Sequence, residues 1–549
     1  MIKPRDHRQR EIAEVLARYG LDYLANVVGL ERVIARERAL RRREPRDTHT
    51  PAEDLRLALE ELGPTFIKLG QLLSTRADLL PPEYRAELAK LQDAAPAVPT
   101  DVVRDTIEVE LHASAEAVFA SFHAEPLACA SIGQAHLATL QDGTEVVVKV
   151  RRPNVVEEMD QDFEIIRNFA ARASRRSKAA ARYDLVGLAD EVVQALRAQL
   201  DYLQEARMAE RFAANFEGDS SVQIPRVFWD LTTSRVITLE RIRGMKVTDS
   251  AALDEARLDR HDLAQRAAQI VAKMVFEDGF FHADPHPGNF FVEPDGRIGI
   301  VDFGMVGTLD DALREQLSRL LTGFLRQDPD RLADAVLALG TSTEPVDRAR
   351  LREDLAGLLA RYFGRSVGEI SLRGALGDIL ATVRRHGLRL PRDLALLLTV
   401  LLVAEGLVAV LDPDFRFAEA LAPYARRQLL AQLTPAALRR HVEQFGADLA
   451  ELAVDLPGRL DRLLRSVESG GLEVRLRTDE LEALVARAER VGNRVAASVL
   501  AAALIDRLGE FAVERRRHRR SLRTQWLGAE LAALGTAAGY MAWRRGSRR

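Results

Sequence analysis

One short segment of this sequence constrains the fold more than any other. Residues 282–289 read HADPHPGN, and an Asp-Phe-Gly triplet begins thirteen positions after that segment, at residue 302. A hairpin pattern with a Pro-Asp-Gly turn lies between them and would bring Asn289 and Asp302 to adjacent strand ends. Phosphoryl transfer needs metal ligands of this kind, together with a carboxylate that orients the acceptor, here Asp284. The segment therefore predicts a Mg²⁺ site with Asn289 and Asp302 as ligands.

An isolated lysine in an apolar strand supplies the next part of the predicted site. Lys149 stands in the run VVVKV, residues 146–150, where an unpaired ammonium would be costly. Protein kinases use such a lysine to hold the nucleotide phosphates and pair it with a glutamate of the following helix. Glu205, in the run DYLQEA, is the candidate partner. Because Asp284 and Asn289 also have the spacing of a kinase catalytic loop, the pattern predicts ATP binding in a kinase-like domain.

The order of the predicted elements indicates an α+β fold with two lobes. Strands are predicted at Ala135–Leu140 and Glu145–Val150, around an Asp-Gly turn, and at Arg226–Asp230 and Arg235–Glu240. A long helical insertion separates the two pairs, and after residue 309 the pattern is almost entirely helical. The predicted domains are a helical segment at 1–50, a helical extension at 51–116, an N-lobe at 117–244, a C-lobe at 245–425, a helical linker at 426–490 and an apolar, basic segment at 491–549.

From about residue 55 to 425 the sequence resembles the UbiB/AarF group of atypical kinases. Beside the HADPHPGN loop, the resemblance depends on KLGQ at 68–71, on the alanine-rich run at 128–134 and on LDPDF at 411–415. It implies a protein-kinase-like two-lobed fold in which the K-x-G-Q helices cover the site where a peptide would lie. It also implies ATPase or small-molecule or lipid-directed chemistry in isoprenoid-quinone metabolism, more than ordinary protein phosphorylation.

The resemblance implies further site residues. Lys68 and Gln71 are expected to act in catalysis, and on a helix their spacing would place them on one side. Glu240 and Ile242 are expected to bind nucleotide at the hinge between the lobes. The expected phosphate loop consists of Ala128, Cys129, Ala130, Ser131, Ile132, Gly133 and Gln134.

Three features depart from the pattern of the family. Cys129 interrupts the run of alanines, and the E-x-D signature reads QLD at 199–201, without its first carboxylate. The paired C-terminal spans of the family are also degraded here. The role of the E-x-D element in regulation, and its contact with metal, are therefore in question.

The C-terminal residues predict association with a membrane. Residues 526–543 form an apolar run broken only by Glu530, and Arg-rich segments flank it at 514–520 and 544–549. The run is slightly shorter than the roughly 20 residues that a spanning helix needs, so a buried terminal helix is the alternative. We expect the protein on the cytoplasmic face of the cell membrane, with the anionic membrane surface as partner, and otherwise in the cytoplasm. The apolar run at 394–411 is instead predicted to be a buried helix.

Composition excludes some functions. The net charge of −4 gives no case for nucleic-acid binding, and the single cysteine cannot form a disulfide within the chain, which fits a reducing compartment. His282 and His286 have the spacing of a helical zinc site, but the prolines at 285 and 287 forbid that helix, so structural roles are expected. The expected partners are ATP and a small-molecule or lipid acceptor or activator, such as an isoprenoid-quinone precursor, and a homodimer is left open.

The sequence is compatible with two other functions. A small-molecule kinase of the aminoglycoside-phosphotransferase type has a similar catalytic loop, although the K-x-G-Q run and the alanine-rich loop argue against it. A nucleotide-binding scaffold without turnover is the second alternative. The sequence does not require an inactive protein, because it retains the five residues Lys149, Glu205, Asp284, Asn289 and Asp302.

Overall fold

The fold consists of two lobes, each built around its own β-sheet, with helical additions at the N-terminal side and after the second lobe. The computed structural model describes residues 4–21, 49–76, 79–91, 96–176, 184–284, 286–342, 345–362 and 372–432. The helices are α1 (Pro4–Arg18), α2 (Pro51–Leu62), α3 (Pro64–Thr75), α4 (Pro82–Leu88), α5 (Thr100–Leu111), α6 (Ala115–Val118), α7 (Val155–Arg176), α8 (Leu185–Gln199), α9 (Tyr202–Asn215), α10 (Ser250–Glu255), α11 (Arg260–Ala272), α12 (Asp311–Leu325), α13 (Pro329–Leu339), α14 (Arg348–Tyr362), α15 (Leu372–Arg385), α16 (Arg392–Leu411) and α17 (Phe417–Gln432).

The strands form a five-stranded sheet in the first lobe and smaller sheets in the second. They are β1 (Phe119–Phe122), β2 (Ala128–Cys129), β3 (Gly133–Leu140), β4 (Glu145–Arg151), β5 (Val222–Gln223), β6 (Val236–Glu240), β7 (Met245–Lys246), β8 (Phe280–His282), β9 (Phe290–Val292), β10 (Ile298–Ile300) and β11 (Val306–Thr308). The first sheet has the order β1-β3-β4-β6, with β2 paired to β3. The second lobe has a sheet of order β5-β10-β9-β7 and the separate pair β8 and β11.

The two faces of β4 have different environments. The branched side chains of Val146, Val148 and Val150 are buried in one apolar cluster with Val103 and Ile107 of α5. Side chains alternate along a strand, so Lys149 faces the opposite side, toward the cleft between the lobes. The predicted hairpin of β3 and β4 is confirmed.

The second predicted hairpin, formed by β9 and β10, is also confirmed. These strands pair antiparallel around the Pro-Asp-Gly turn, with Ile298 opposite Val292 and Ile300 opposite Phe290. The lobes are connected by residues 241–244, because β6 belongs to the first sheet and β7 to the second.

The prediction of a strand at Arg226–Asp230 is wrong. Val227 forms a single bridge with Leu239, and Trp229–Leu231 is a turn of 3₁₀ helix. The Thr232 hydroxyl donates to Phe228 O at 2.8 Å, and such side-chain bonds to the backbone compete with a strand ladder.

The helical extension contacts both lobes. Gly70 of α3 permits close packing within it, because a Cβ atom there would lie 2.3 Å from Leu91 Cδ1. At the end of α3, Arg76 forms an ion pair with Glu191 of α8 at 2.6 Å. The hydroxyl of Thr399, in α16, donates to Thr75 O. The extension is therefore tied to the helical insertion of the first lobe and to the core helix of the second.

Helix α16 contains the apolar run predicted to be buried. Among the described residues, it alone is long and apolar enough to span a bilayer, and 56% of its most apolar window is buried. It packs against α11, α15 and the extension, as a core helix does. The predicted membrane-associating segment at 491–549, most of the predicted linker at 426–490 and residues 22–48 lie outside the described residues. The predicted domain boundaries remain predictions.

Candidate active site

The centre of the candidate site is an ion pair between β4 and α9. Lys149 Nζ donates to Glu205 Oε1 at 2.5 Å, and it lies 3.9 Å from Asp302 Oδ2. Glu205 lies in the first turn of α9, and the side chain of Asp201 caps this helix by accepting from Leu203 N at 3.1 Å. The cap fixes where α9 begins and thereby which side chain reaches Lys149. The predicted pairing of Lys149 with Glu205 is present in the structure.

The charges in this cluster shift the pKa values of its members. Burial alone would lower the pKa of Lys149, but the carboxylates of Asp302 and Glu205 outweigh burial and raise it. Burial also raises the pKa of Glu205, and the ammonium of Lys149 opposes that rise. We take the ionised pair as the working state, because an ammonium at hydrogen-bond distance favours the carboxylate form. The ammonium of Lys149 is the main cause that lowers the pKa of Asp302, so this carboxylate is ionised at neutral pH.

Asp302 sits at the end of the second hairpin in a backbone conformation that few side chains adopt. Its φ is 61°, in the left-handed region, which Asp tolerates better than most residues. Gly304 N donates to Asp302 Oδ1 at 3.3 Å, and 54% of the Asp302 side chain is accessible. The carboxylate is thus oriented from its own loop and open to the cleft, as a metal ligand requires.

The buried His282 joins the Asp302 loop to the loop of Asp284. Its Nε2 lies 2.8 Å from Asp302 O, and its Nδ1 accepts from Asp284 N at 3.3 Å. Both ring nitrogens are therefore engaged with the backbone of these loops. His286 accepts from Gly288 N at 3.1 Å and caps a short 3₁₀ turn. Both histidines thus hydrogen-bond to the backbone of the loops that carry Asp284 and Asp302.

Asp284 and Asn289 contact each other directly. The Asn289 amide nitrogen donates to Asp284 O at 3.0 Å and to Asp284 Oδ2 at 3.3 Å. Its amide oxygen therefore points away from Asp284, as it must to bind a cation. Val301 N donates to Asn289 O at 3.0 Å, so the hairpin holds Asn289 one residue from Asp302. One carboxylate and one amide oxygen, completed by phosphate oxygens, are a donor set suited to Mg²⁺.

Phe303 connects the loop of Asp302 to α9. Its ring is buried and lies 5.1 Å from the ring of Phe212, two turns beyond Glu205 on the same helix. The backbone of Phe303 also favours the ionised form of Glu205 and opposes the rise that burial causes in its pKa. The phenylalanine of the Asp-Phe-Gly triplet thus packs inward, against Phe212 of α9.

The expected phosphate loop forms a tight turn between β2 and β3. Ala128 and Cys129 form β2, and Ala130 N donates to Gly133 O at 2.8 Å. A Cβ atom at Gly133 would lie 2.2 Å from the Tyr202 hydroxyl, so only glycine fits there. The turn brings the backbone of Ser131 and Ile132 to the end of β4, three to four residues from Lys149 in the sheet register.

Gln134 does not direct its side chain to the cleft. It pairs with Val150, on the face of the sheet opposite Lys149, and is buried. Its Oε1 accepts from Val98 N at 2.8 Å, and its amide nitrogen approaches His136 Nε2 at 2.8 Å. The expectation that this side chain binds nucleotide is corrected: only the backbone of Gln134 remains in the candidate site, because strand alternation turns the side chain away.

Lys68 and Gln71 have different partners although both belong to α3. Lys68 is close enough to Asp302 to contribute to the lowering of its pKa. The Gln71 amide instead donates to Leu91 O at 3.1 Å, within the extension. The structure therefore brings Lys68 toward the Asp302 carboxylate and gives Gln71 a contact that stabilises the extension.

The two expected hinge residues lie where the lobes connect. Glu240 ends β6, and its carboxylate accepts from Arg226 N at 3.3 Å. The Ile242 side chain packs on Gly299, where an added Cβ would lie 2.6 Å from it. Because these side chains are engaged elsewhere, a nucleotide could contact only the backbone of Glu240 and Ile242.

The chain matches two family models that follow each other along it. One, described as the ABC1 atypical kinase-like domain, covers residues 90–336, and the other, the UbiB helical domain, covers residues 355–416. A probable protein kinase UbiB of Pseudomonas paraeruginosa is 36% identical over 413 residues, which are 74% of this chain and 78% of that protein. The chain belongs to the UbiB family of atypical kinases.

Other proteins similar to this chain extend the comparison. The chloroplastic protein ACTIVITY OF BC1 COMPLEX KINASE 7 of Arabidopsis thaliana is 32% identical, over 82% of this chain and 66% of that protein. Among solved structures, the complex of Rv3197 with erythromycin from Mycobacterium tuberculosis has a TM-score of 0.45 and 26% identity, and the match covers 66% of this chain and 92% of that one. The family match confirms the expected family and kinase-like fold.

Two residues of this family member were missed in the sequence. Tyr202 is buried beside Lys149 and Glu205, and burial raises the pKa of its phenol. Arg152 binds the phosphate loop with its side chain. Tyr202 stands three positions before Glu205 in the helix and could have been found from that spacing. No sequence signal identifies Arg152, because its partners come from distant segments.

Proposed function

We propose that this protein binds Mg²⁺ and ATP and transfers or hydrolyses the γ-phosphoryl group. The observation that carries the proposal is the position of the Lys149 ammonium between the carboxylates of Glu205 and Asp302. Lys149 would neutralise phosphate charge, and Asn289 and Asp302 would hold Mg²⁺. Asp284 would orient the acceptor hydroxyl or water and accept its proton. ATP supplies the phosphoryl group, and ADP leaves.

The acceptor that fits best is a small molecule or a lipid. Residues 305–310 alone connect Gly304 to α12, and three of them form β11, which pairs with β8. Protein kinases place their phosphorylated activation loop in this position of the chain. On the other side, Leu69 and Leu72 of α3 belong to the same apolar cluster as Met305. Both features leave little room for an extended peptide next to Asp302.

The family resemblance brings isoprenoid-quinone metabolism into the proposal. A quinone precursor is a phenol with an apolar tail. Either this phenol or the membrane that contains it could act as the acceptor or activator. The basic C-terminal segments would hold the protein on the cytoplasmic face of an anionic membrane, at roughly 1 kcal/mol for each Arg near the surface.

A hydrolysis assay tests the proposal. We would measure phosphate release and ATP binding by the full chain with Mg²⁺, alone and with a quinone-like phenol, anionic liposomes or a peptide library. We expect Mg²⁺-dependent turnover that phenol or liposomes increase and peptides do not. Binding without turnover in every condition would favour the scaffold function, and absence of binding would contradict the proposal.

A further inference from the structure

Arg152, the residue that follows β4, makes three hydrogen bonds that converge on the phosphate loop and its support. Its side-chain Nε donates to Ala130 O at 2.9 Å, and its backbone N–H donates to Ile132 O at 2.9 Å. Its Nη2 donates to Pro96 O at 2.6 Å, in the segment that leads into α5. One residue thus binds two loop carbonyls and a third carbonyl outside the loop.

The same outside segment also holds the far end of the loop. Gln134 accepts from Val98 N at 2.8 Å and donates to Val98 O at 3.3 Å. Residues 96–98 therefore support the loop from behind at both ends, through Arg152 at one end and Gln134 at the other.

The front of the loop is anchored by an apolar contact. Ile132 packs against the cluster that contains Leu72 of α3 and Met159 and Phe163 of α7. An Ala-rich loop already has less backbone freedom than a Gly-rich one. Side-chain anchors on both sides reduce its freedom further.

We propose that Arg152 is a positioning residue for nucleotide binding, because it fixes the backbone of the phosphate loop before nucleotide arrives. The Arg152 guanidinium donates hydrogen bonds to the carbonyls of Ala130 and Pro96. These bonds orient the loop so that the backbone N–H groups of the loop can face the cleft. A loop that is already ordered does not have to lose conformational entropy when it binds phosphate. The inference rests on the proposed nucleotide site and adds to it a residue that does not itself touch the nucleotide.

The test compares two substitutions with a matched control in the full chain. Arg152→Met keeps the aliphatic stem and the backbone donor but removes both side-chain bonds, whereas Arg152→Lys retains one charged group that can reach one carbonyl. Arg235→Met is the control, because Arg235 immediately precedes β6 of the same sheet and its side chain contacts Glu110 of α5 at 3.4 Å rather than a residue of the loop. The probe is N-methylanthraniloyl-ADP with Mg²⁺, and ATP hydrolysis gives KM and kcat.

For Arg152→Met we expect Kd and KM to rise about tenfold while kcat stays within about twofold, since the loss falls on ground-state binding. Arg152→Lys should recover part of the affinity. Amide hydrogen exchange at residues 130–133 should become faster in Arg152→Met and stay unchanged in Arg235→Met.

Two results would overturn the inference. One is wild-type nucleotide affinity and loop exchange in Arg152→Met, and the other is an equal loss of affinity in Arg235→Met, which would indicate general weakening of the sheet. Failure of the proposed function would look different: the wild-type chain itself would not bind the fluorescent nucleotide. The exchange measurement would still decide whether Arg152 orders the loop.

Discussion

The ammonium of Lys149 lies 2.5 Å from Glu205, and this contact joins the middle of the five-stranded sheet to the first turn of α9. The partners are 56 positions apart in the chain. Only 7% of the Glu205 side chain is accessible, so each charge depends on the other for compensation. Protein kinases require this ion pair for phosphoryl transfer, and in this structure the pair is formed.

Lys149→Met should abolish hydrolysis and make stability depend on pH. The substitution leaves Glu205 buried without its cation, and breaking such a pair costs about 3–5 kcal/mol. Burial already raises the pKa of Glu205, and without Lys149 that pKa should rise further. When folding raises the pKa of a carboxyl, its ionisation destabilises the folded protein at pH values above the folded-state pKa. This destabilisation decreases as the pH falls from the folded-state pKa toward the lower pKa of the unfolded chain.

Thermal unfolding of Lys149→Met should therefore show its largest deficit near about pH 8 and a smaller one near about pH 5. The double variant Lys149→Met/Glu205→Gln removes the carboxyl and should lose this extra pH dependence. A deficit that is the same at both pH values would show that Glu205 is not the titrating group.

Asp302→Asn should reduce Mg²⁺-dependent ATP hydrolysis by about 100-fold or more while the fold survives. It removes the charge of the proposed Mg²⁺ ligand, and the loss of a single electrostatic stabiliser typically has an effect of this size. Asp295→Asn is the matched control, because Asp295 lies in the turn of the same hairpin and contacts Arg297 at 2.8 Å. Turnover should fall in the first variant alone, and wild-type hydrolysis by Asp302→Asn would refute its role.

Ala130→Gly should change nucleotide affinity or the preference between ATP and ADP. Glycine adds backbone freedom in a turn that Ala130 N closes by donating to Gly133 O. Because no packed side chain is lost beyond one methyl group, the melting temperature should change little. Binding titrations with both nucleotides check this. Identical affinities in variant and wild type would show that the loop does not bind phosphate.

Lys68→Ala should alter basal turnover, because Lys68 contributes to the field at Asp302. Gln71→Ala should act mainly on stability, at a cost of about 1 kcal/mol, because Gln71 bonds Leu91 O within the extension. Hydrolysis and thermal unfolding of both variants separate the two roles. Loss of turnover in Gln71→Ala at unchanged stability would place Gln71 in the site after all.

Removal of residues 506–549 should weaken binding to anionic liposomes and the stimulation of hydrolysis by lipid. The deleted segment contains the Arg-rich flanks and the apolar run. Basal ATP binding should persist, because the candidate site lies within residues 68–302. Co-sedimentation with liposomes checks the first expectation and nucleotide titration the second. Full liposome binding by the truncated chain would exclude this segment as the anchor.

Local sequence was sufficient to predict the arrangement of the loops that carry Asp284, Asn289 and Asp302. Asp284 and Asn289 are five residues apart, and a single hairpin brings Asn289 close to Asp302, so turn chemistry and strand periodicity decide their arrangement. Lys149 could be assigned to the site because one cation in an apolar strand needs a buried partner. Glu205 was predicted as its partner from the kinase pattern, in which such a lysine pairs with a glutamate of the following helix, and the structure has it beside that lysine.

Only the tertiary structure decided which side chains of the predicted site face the cleft. Gln134 and Gln71 both belong to motifs of the expected site, yet one binds Val98 and the other Leu91. Which face of β3 is buried depends on where α5 packs, and α5 is distant in the chain. Arg152 likewise could not be assigned to the site from the sequence, because the carbonyls that its side chain binds belong to the loop between β2 and β3 and to residue 96. Sequence periodicity thus determined the elements and their spacing, whereas long-range packing determined the direction of each side chain, because strand alternation allows either face until a partner covers one of them.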